Sequence, residues 1–190
     1  MKKIIAIDID DTLTNLYEMV MSYGFKFAKD NKIEIPKLDL DGYEASDIFY
    51  FDEPQHSKFM KTHLKSILTE VKSRPLAREV IEAISQKYYI YILTSRDSDL
   101  IPNCKEETIN WLKRENIYYD KIIFGCKEKG VFCKKNNVDI LVDDNPQQCR
   151  NALINNINTY MFDNPYNKGF AENDVKRIYS WGHLFSEIEK

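Results

Sequence analysis

The sequence predicts a doubly wound α/β fold: a parallel sheet with helices on both faces and a small helical unit inserted after the first strand. Three observations carry this. Five short apolar runs recur at 3–9, 88–93, 121–124, 140–142 and 159–162. They are nearly continuous rather than alternating, the habit of strands covered on both faces. Helical patterns separate the later runs, and such alternation implies parallel strands joined by crossover helices. The stretch 15–74 breaks this rhythm with helical patterns and no strong strand.

Taken in order, Ile4, Ile5, Ala6 and Ile7 open the first run, which leads into Asp8-Ile9-Asp10-Asp11-Thr12. Helical patterns follow at 16–29 and 56–71, on either side of the acidic, aromatic segment 38–53. This is too much chain for one crossover helix. The expected division is therefore a core of 1–14 and 75–190 with a helical insertion, 15–74, beside the carboxyl edge of the sheet. Pro75 can open a helix through Lys87, with Leu76, Val80, Ala83 and Ile84 on one face. The run 88–93 ends in Thr94-Ser95-Arg96, and Asn103 stands where it can cap a helix carrying Ile109, Trp111 and Leu112. Lys127-Glu128-Lys129 follows the third run and Asp143-Asp144 the fourth. Asn145-Pro146 then starts a helix with Cys149, Ala152 and Leu153, before the last predicted strand at 159–162.

Composition narrows the function. Lys and Arg number 27 against 30 Asp and Glu, a net charge of −3 over 190 residues. No basic excess exists to release counterions from a polymeric phosphate backbone, which argues against a nucleic-acid binder. A small phosphorylated substrate stays open, because one metal ion supplies positive charge locally. At 43% hydrophobic, a chain of this length buries a core without staples. Cys104, Cys126, Cys133 and Cys149 form no Cys-x-x-Cys pair and read as reduced core thiols. The first apolar run meets Asp8 too soon for a signal peptide, and no stretch of about 18 apolar residues occurs. The expectation is a cytoplasmic protein with no membrane partner.

The strand ends carry the chemistry, since open α/β sheets bind ligands at their carboxyl edge. If the first strand stays extended, its period of two puts Asp8 and Asp10 on the same side. One carboxylate can then attack while its neighbour exchanges protons, and both can help hold a hard cation. The plainer alternative is an acidic strand end in a solvated loop. Asp143 and Asp144 bring a second acidic pair to the same edge. Bound Mg²⁺ offsets the repulsion between two such pairs and keeps waters for a phosphate. Thr94 offers a hydroxyl where a phosphoryl oxygen would lie, with Ser95 and Arg96 beside it. Lys129 can neutralise that oxygen and pair with a carboxylate, and Lys127 is its competitor.

These elements, in this order, resemble the haloacid dehalogenase superfamily of phosphatases. Asp8-Ile9-Asp10-Asp11-Thr12 matches its Asp-x-Asp-x-Thr motif, Thr94 its strand-ending Thr or Ser, Lys129 its lysine, and Asp143-Asp144 its acidic pair. The resemblance implies a Rossmann-like core with a helical cap at 15–74. It implies Asp8 as nucleophile, Asp10 as general acid and then base, and Thr94 and Lys129 on the phosphoryl group. Thr12 braces the loop; Ser95 and Arg96, beside the phosphate position, are candidates to bind substrate, and Arg96 alternatively closes a surface ion pair. Asp8, the Asp10 carbonyl and Asp144 hold Mg²⁺, while Asp143 orients Lys129. Thr94-Ser95-Arg96, 117–120, Met161-Phe162-Asp163-Asn164-Pro165-Tyr166-Asn167 and Ile178-Tyr179-Ser180-Trp181 are similar to the 5′-nucleotidase-like branch, which includes relatives of 5′(3′)-deoxyribonucleotidases. That branch implies a nucleotide as the small substrate, with a sugar phosphate as the alternative.

Tyr43, Phe49, Tyr50 and Phe51 lie in the insertion, where they pack the cap or stack on a substrate ring. His56 and His63 share a helical face without a third metal ligand. A phospho-accepting receiver domain is a reading from another class. It uses a similar sheet, but its acceptor aspartate ends a middle strand and it lacks a large early insertion.

Overall fold

A computed structural model of the chain describes residues 2–170 and 175–190. The sheet grows outward from the first strand. β1 (Lys3–Ile7) lies parallel between β2 (Tyr88–Leu93) and β4 (Ile140–Asp143). β3 (Lys121–Ile123) extends the β2 side. β5 (Asn158–Phe162) and β6 (Lys176–Ile178) extend the other. The order β3-β2-β1-β4-β5-β6 reverses direction between β1 and β4. Loops leaving a parallel sheet at such a point diverge and open a crevice for ligands.

Both faces of the sheet are covered. Ile5, Ile7, Ile90, Ile92 and Val142 pack on α4 (Ala77–Ser85), α5 (Cys104–Arg114) and α8 (Trp181–Ile188), whose Ile81, Trp111 and Trp181 share that core. Ala6, Leu93 and Leu141 face α6 (Lys129–Lys135) and α7 (Pro146–Ile154) through Cys133 and Ala152. The alternation along β1 explains the unbroken apolar runs, because each face needs its own set. All four cysteines are buried free thiols. No helix among the described residues is long and apolar enough to cross a membrane.

Between β1 and α4 run α1 (Leu16–Asp30), α2 (Ala45–Phe49) and α3 (Glu53–Glu70). They bury their own apolar cluster of Tyr17, Phe27, Ile48, Phe49, Phe51, Phe59 and Ile67. Phe27 meets Phe51 and Phe59 edge-on, and a Cβ on Gly24 would collide with the Phe49 ring. Asp52 caps α3 by accepting from the Gln55 amide, and Gln55 answers the Asp52 amide. The entering and leaving strands of chain meet at a Thr14–Ser73 antiparallel bridge.

Three local expectations change. β1 stops at Ile7 rather than Ile9, because the Leu13 and Thr14 amides both fold back onto the Ile9 carbonyl and Asp11 turns left-handed at φ 57°. α4 begins at Ala77, after Leu76 turns at φ 67°, so Pro75 lies just outside it. Asn103 precedes α5, but at φ 57° its side chain makes no capping bond. α2, β6 and α8 are additions. Lys176 and Arg177 leave β6 a single apolar residue, Ile178, too little for a recognisable run.

Candidate active site

The loop after β1 is tied from all sides. The Asp8 amide donates to the Val142 carbonyl at 3.0 Å, prolonging the sheet by one rung and fixing where the side chain emerges. Asp11 points backwards: its Oδ1 accepts the Tyr17 amide at 2.7 Å, and its own amide donates to Thr14 Oγ1 at 3.1 Å. Arg74 donates to the Thr14 carbonyl at 2.8 Å and the Asp11 carbonyl at 2.9 Å. The loop therefore presents Asp8 and Asp10 while Asp11 secures the turn. The extended-strand argument for Asp8 and Asp10 fails past Ile7, and this turn replaces it.

Lys129 opens α6 and lies almost wholly inside the protein, 3% exposed. Its Nζ donates to Asp8 Oδ1 at 2.6 Å and to Asp143 Oδ2 at 2.7 Å. Gly130 lets α6 approach this closely, since a Cβ there would collide with the Asn151 carbonyl on α7. Lys127, the competitor, is exposed, and its carbonyl accepts from Gln148 at 2.8 Å. The remaining Asp143 oxygen accepts the Asn145 amide at 2.9 Å. Asp144 accepts from Thr12 Oγ1 at 3.1 Å and from the Tyr166 hydroxyl at 2.5 Å.

Asp8, Asp143 and Asp144 each bring a carboxylate oxygen within 4.8 Å of the others, and all three residues are buried. Burial pushes the Asp8 carboxyl up to about 7, against the pull of Lys129. Burial and the neighbouring Asp143 and Asp8 charges push Asp144 well above the usual carboxylate range. Burial would depress Lys129, but Asp143 and Asp8 hold its ammonium above the ordinary lysine value. One lysine thus faces three buried carboxylates. An oxygen-preferring divalent cation fits that donor set and relieves the excess negative charge.

Asp8, Asp10, Ser95, Lys129, Asp143 and Asp144 line one cavity of about 280 Å³. Thr12, Thr94 and Arg96 stand behind its wall: Thr12 on Asp144, Thr94 Oγ1 accepting the Arg96 amide at 3.1 Å, and the Arg96 side chain turned to Asp10. The opposite wall comes from α1 and α3 and is mostly apolar, with Leu16, Val20, Phe59, Met60, Leu64 and Leu68. Of the four aromatic residues singled out from the sequence, Tyr43 alone lines the cavity. Phe49 and Phe51 stack on each other inside the apolar cluster of α1, α2 and α3, and exposed Tyr50 lies under Lys37. His56 lines the cavity beside Glu44, whereas His63 packs among Tyr23, Phe27 and Phe59.

The chain matches, over residues 2–188, the family described as 5′ nucleotidase, deoxy (pyrimidine), cytosolic type C protein. It belongs to that family. A 5′(3′)-deoxyribonucleotidase of Clostridium acetobutylicum is 30% identical over 185 residues, covering 95% of this chain and 91% of the relative. A second nucleotidase of that organism is 24% identical over 187 residues, covering 98% and 93%. Among solved structures, a haloacid dehalogenase-like hydrolase of Streptococcus pneumoniae superposes with a TM-score of 0.67 at 16% identity, covering 98% of each chain. The protein is thus a phosphoric monoester hydrolase with the haloacid dehalogenase-type fold, and the receiver reading falls.

In this nucleotidase-family phosphatase several residues support the site in ways the sequence does not show, some of them inside the 161–167 segment already singled out by its resemblance. Asp11 was grouped with the other acids, yet it braces the loop. Tyr166 reaches Asp144, and Asn167 donates to the Asp144 and Phe162 carbonyls at 2.8 and 2.7 Å. Arg74 joins the loop to Asn164 at 2.6 Å. The Asn-Pro-Tyr-Asn run directly after β5 was the available signal: it is another strand end delivering polar side chains to the same edge.

Proposed function

We propose that the protein hydrolyses (deoxy)nucleoside monophosphates in a Mg²⁺-dependent reaction through an aspartyl-phosphate on Asp8. The observation that carries this reading is Asp8 at the cavity floor, held by buried Lys129 and joined to Asp143 and Asp144, under a wall made by a separate helical unit. Asp8 and Asp144, with the Asp10 carbonyl, would hold the cation, which when bound neutralises charge on the phosphate oxygens.

The side chains then divide the work. A carboxylate oxygen of Asp8 attacks phosphorus as the bond to the ester oxygen breaks, and Asp10 gives its proton to that oxygen. Lys129 balances the negative charge between Asp8 and the phosphoryl group and holds Asp8 in line. Water next attacks phosphorus and yields its proton to Asp10, the bond to Asp8 breaks, and phosphate leaves. Thr94 shapes the β2 loop, from which Ser95 faces the phosphate position. Residues 15–74 act as the cap, and the molecule works as a cytoplasmic enzyme on a small diffusible ester.

Substrate choice falls to the cap, because the floor recognises only phosphate and metal. Tyr17, Tyr43 and Phe59 are aromatic surfaces of the cavity open to a base, in place of Phe49 and Phe51. Phosphate release is to be screened with Mg²⁺ over ribo- and deoxyribonucleoside monophosphates and sugar phosphates. The expected result is highest kcat/KM on a nucleotide. A sugar phosphate faster than every nucleotide by about tenfold or more, some 1.4 kcal/mol in barrier, would reject the nucleotide reading.

A further inference from the structure

We infer that Arg96 is a positioning residue for Asp10, setting the angle at which that carboxylate meets the leaving-group oxygen; the inference rests on the proton-transfer role proposed for Asp10. The acidic cluster at the floor consists of Asp8, Asp143 and Asp144, whereas Asp10 turns to Arg96. The guanidinium grips it as a fork, with Nε to Oδ2 at 2.9 Å and Nη2 to Oδ1 at 2.6 Å. A planar fork on both oxygens fixes the carboxylate plane as well as its position.

Placement separates the two residues. The Asp10 side chain is 23% exposed and lines the cavity, while that of Arg96 is 2% exposed and does not. Arg96 therefore stands behind Asp10, as seen from the substrate. It is itself anchored: Nη1 donates to Thr108 Oγ1 on α5 at 3.3 Å, and the backbone amide donates to Thr94 Oγ1 at 3.1 Å. The Arg96 carbonyl accepts the Gly125 amide at 2.9 Å. The ends of β2 and β3 and one helix thus converge on the residue that aims Asp10. Arg96 itself changes no bond. It governs where the Asp10 carboxyl group lies when the ester bond to phosphorus breaks.

The test is steady-state kinetics with Mg²⁺ on a deoxyribonucleoside monophosphate, a poor leaving group, and on p-nitrophenyl phosphate, a good one. Arg96→Ala is expected to lower kcat on the nucleotide about 30- to 100-fold with KM within about twofold, the scale of a misplaced catalytic group. On the aryl ester, whose departure needs little proton help, the loss should stay below about fivefold. Arg96→Lys, lacking the fork, should recover only part of the nucleotide rate. Asp10→Asn with Arg96→Ala should fall no more than about twofold below Asp10→Asn alone, as expected when two residues act as one unit. If circular dichroism shows Arg96→Ala misfolded, Thr108→Val removes one anchor and should show the same leaving-group bias at smaller size. A rise in KM at constant kcat would make Arg96 a substrate contact, and equal losses on both esters would make it a structural staple. Either result overturns the inference while leaving the role of Asp10 intact. Normal nucleotide turnover by Asp10→Asn would instead overturn that role and the inference together.

Discussion

The floor and the roof of the cavity are built on opposite principles. At the floor the polar groups are tied: Lys129 spans Asp8 and Asp143, while Thr12 and Tyr166 occupy Asp144. These contacts join the ends of β1, β4 and β5 to the start of α6, so the geometry is over-determined. The roof is an apolar wall of α1 and α3, whose aromatic cluster is turned inward on itself. Apolar packing is non-directional and tolerates exchange. On the proposed function, the tied floor would set the reaction and the apolar roof the substrate. Tyr43, edge-on to Tyr166 with ring centroids 4.9 Å apart, joins the two walls beside Asp144, and Tyr17 meets the same ring at 6.0 Å.

The comparison can be broken at several points. Asp8→Asn removes nucleophile and cation ligand together, and should lower kcat by roughly three orders of magnitude, about 4 kcal/mol of barrier, read by phosphate release. Near-normal turnover would end the assignment of the floor. Phe49→Ala should cost about 3–5 kcal/mol of stability in chemical denaturation, because the ring is 3% exposed within the cap core. The ratio of nucleotide to aryl-ester kcat/KM should hold in whatever folded enzyme remains. A changed ratio would mean that the inner cap reads substrate.

Tyr166→Phe loses the hydroxyl that orients Asp144, and Mg²⁺ affinity measured by calorimetry should weaken about 10- to 100-fold. Unchanged affinity would show that Asp144 needs no support. With chelator present, stability should also depend on pH in a defined sense. The folded Asp8 carboxyl titrates at about 7 against an ordinary 3.8. The folded chain then keeps a proton that the unfolded chain has released, so this contribution is complete below about 4 and lost as pH rises towards 7. Tm should fall over that interval, Asp8→Asn should flatten the fall, and Mg²⁺ should offset it at neutral pH. Tyr43→Ala is the mildest change, with KM for a nucleotide rising about five- to tenfold and that for the aryl ester about twofold or less.

Much of this architecture is legible in the sequence, because strands buried on both faces leave continuous apolar runs. Tyr88–Leu93 appears with the same bounds in the structure, and four other runs differ by a residue or two. The acidic pairs at Asp8–Asp10 and Asp143–Asp144 stand out because carboxylates following apolar strands have no packing explanation. What escapes is tertiary. β6 relies on pairing with β5 rather than on its own apolar content, and the turn at Asp11 is imposed by bonds to Tyr17, Thr14 and Arg74. Composition placed Tyr43, Phe49, Tyr50 and Phe51 together, but it could not say which rings the cap would keep for itself. Arg96 shows the same limit, since whether it faces substrate or Asp10 depends on where α5 carries Thr108.

The central claim is that Asp8 carries the phosphoryl group. Asp10→Asn slows the water step that clears the intermediate, so it offers the best chance of seeing it. This variant is to be mixed with Mg²⁺ and p-nitrophenyl phosphate radiolabelled in its phosphate, whose good leaving group needs little proton help to form the intermediate, quenched in acid within the first turnover, and mapped by peptide. The account predicts acid-stable, hydroxylamine-labile label on the peptide containing Asp8, absent from the Asp8→Asn protein. Label on another residue, or phosphate released in a first turnover that passes through no labelled protein, would contradict it.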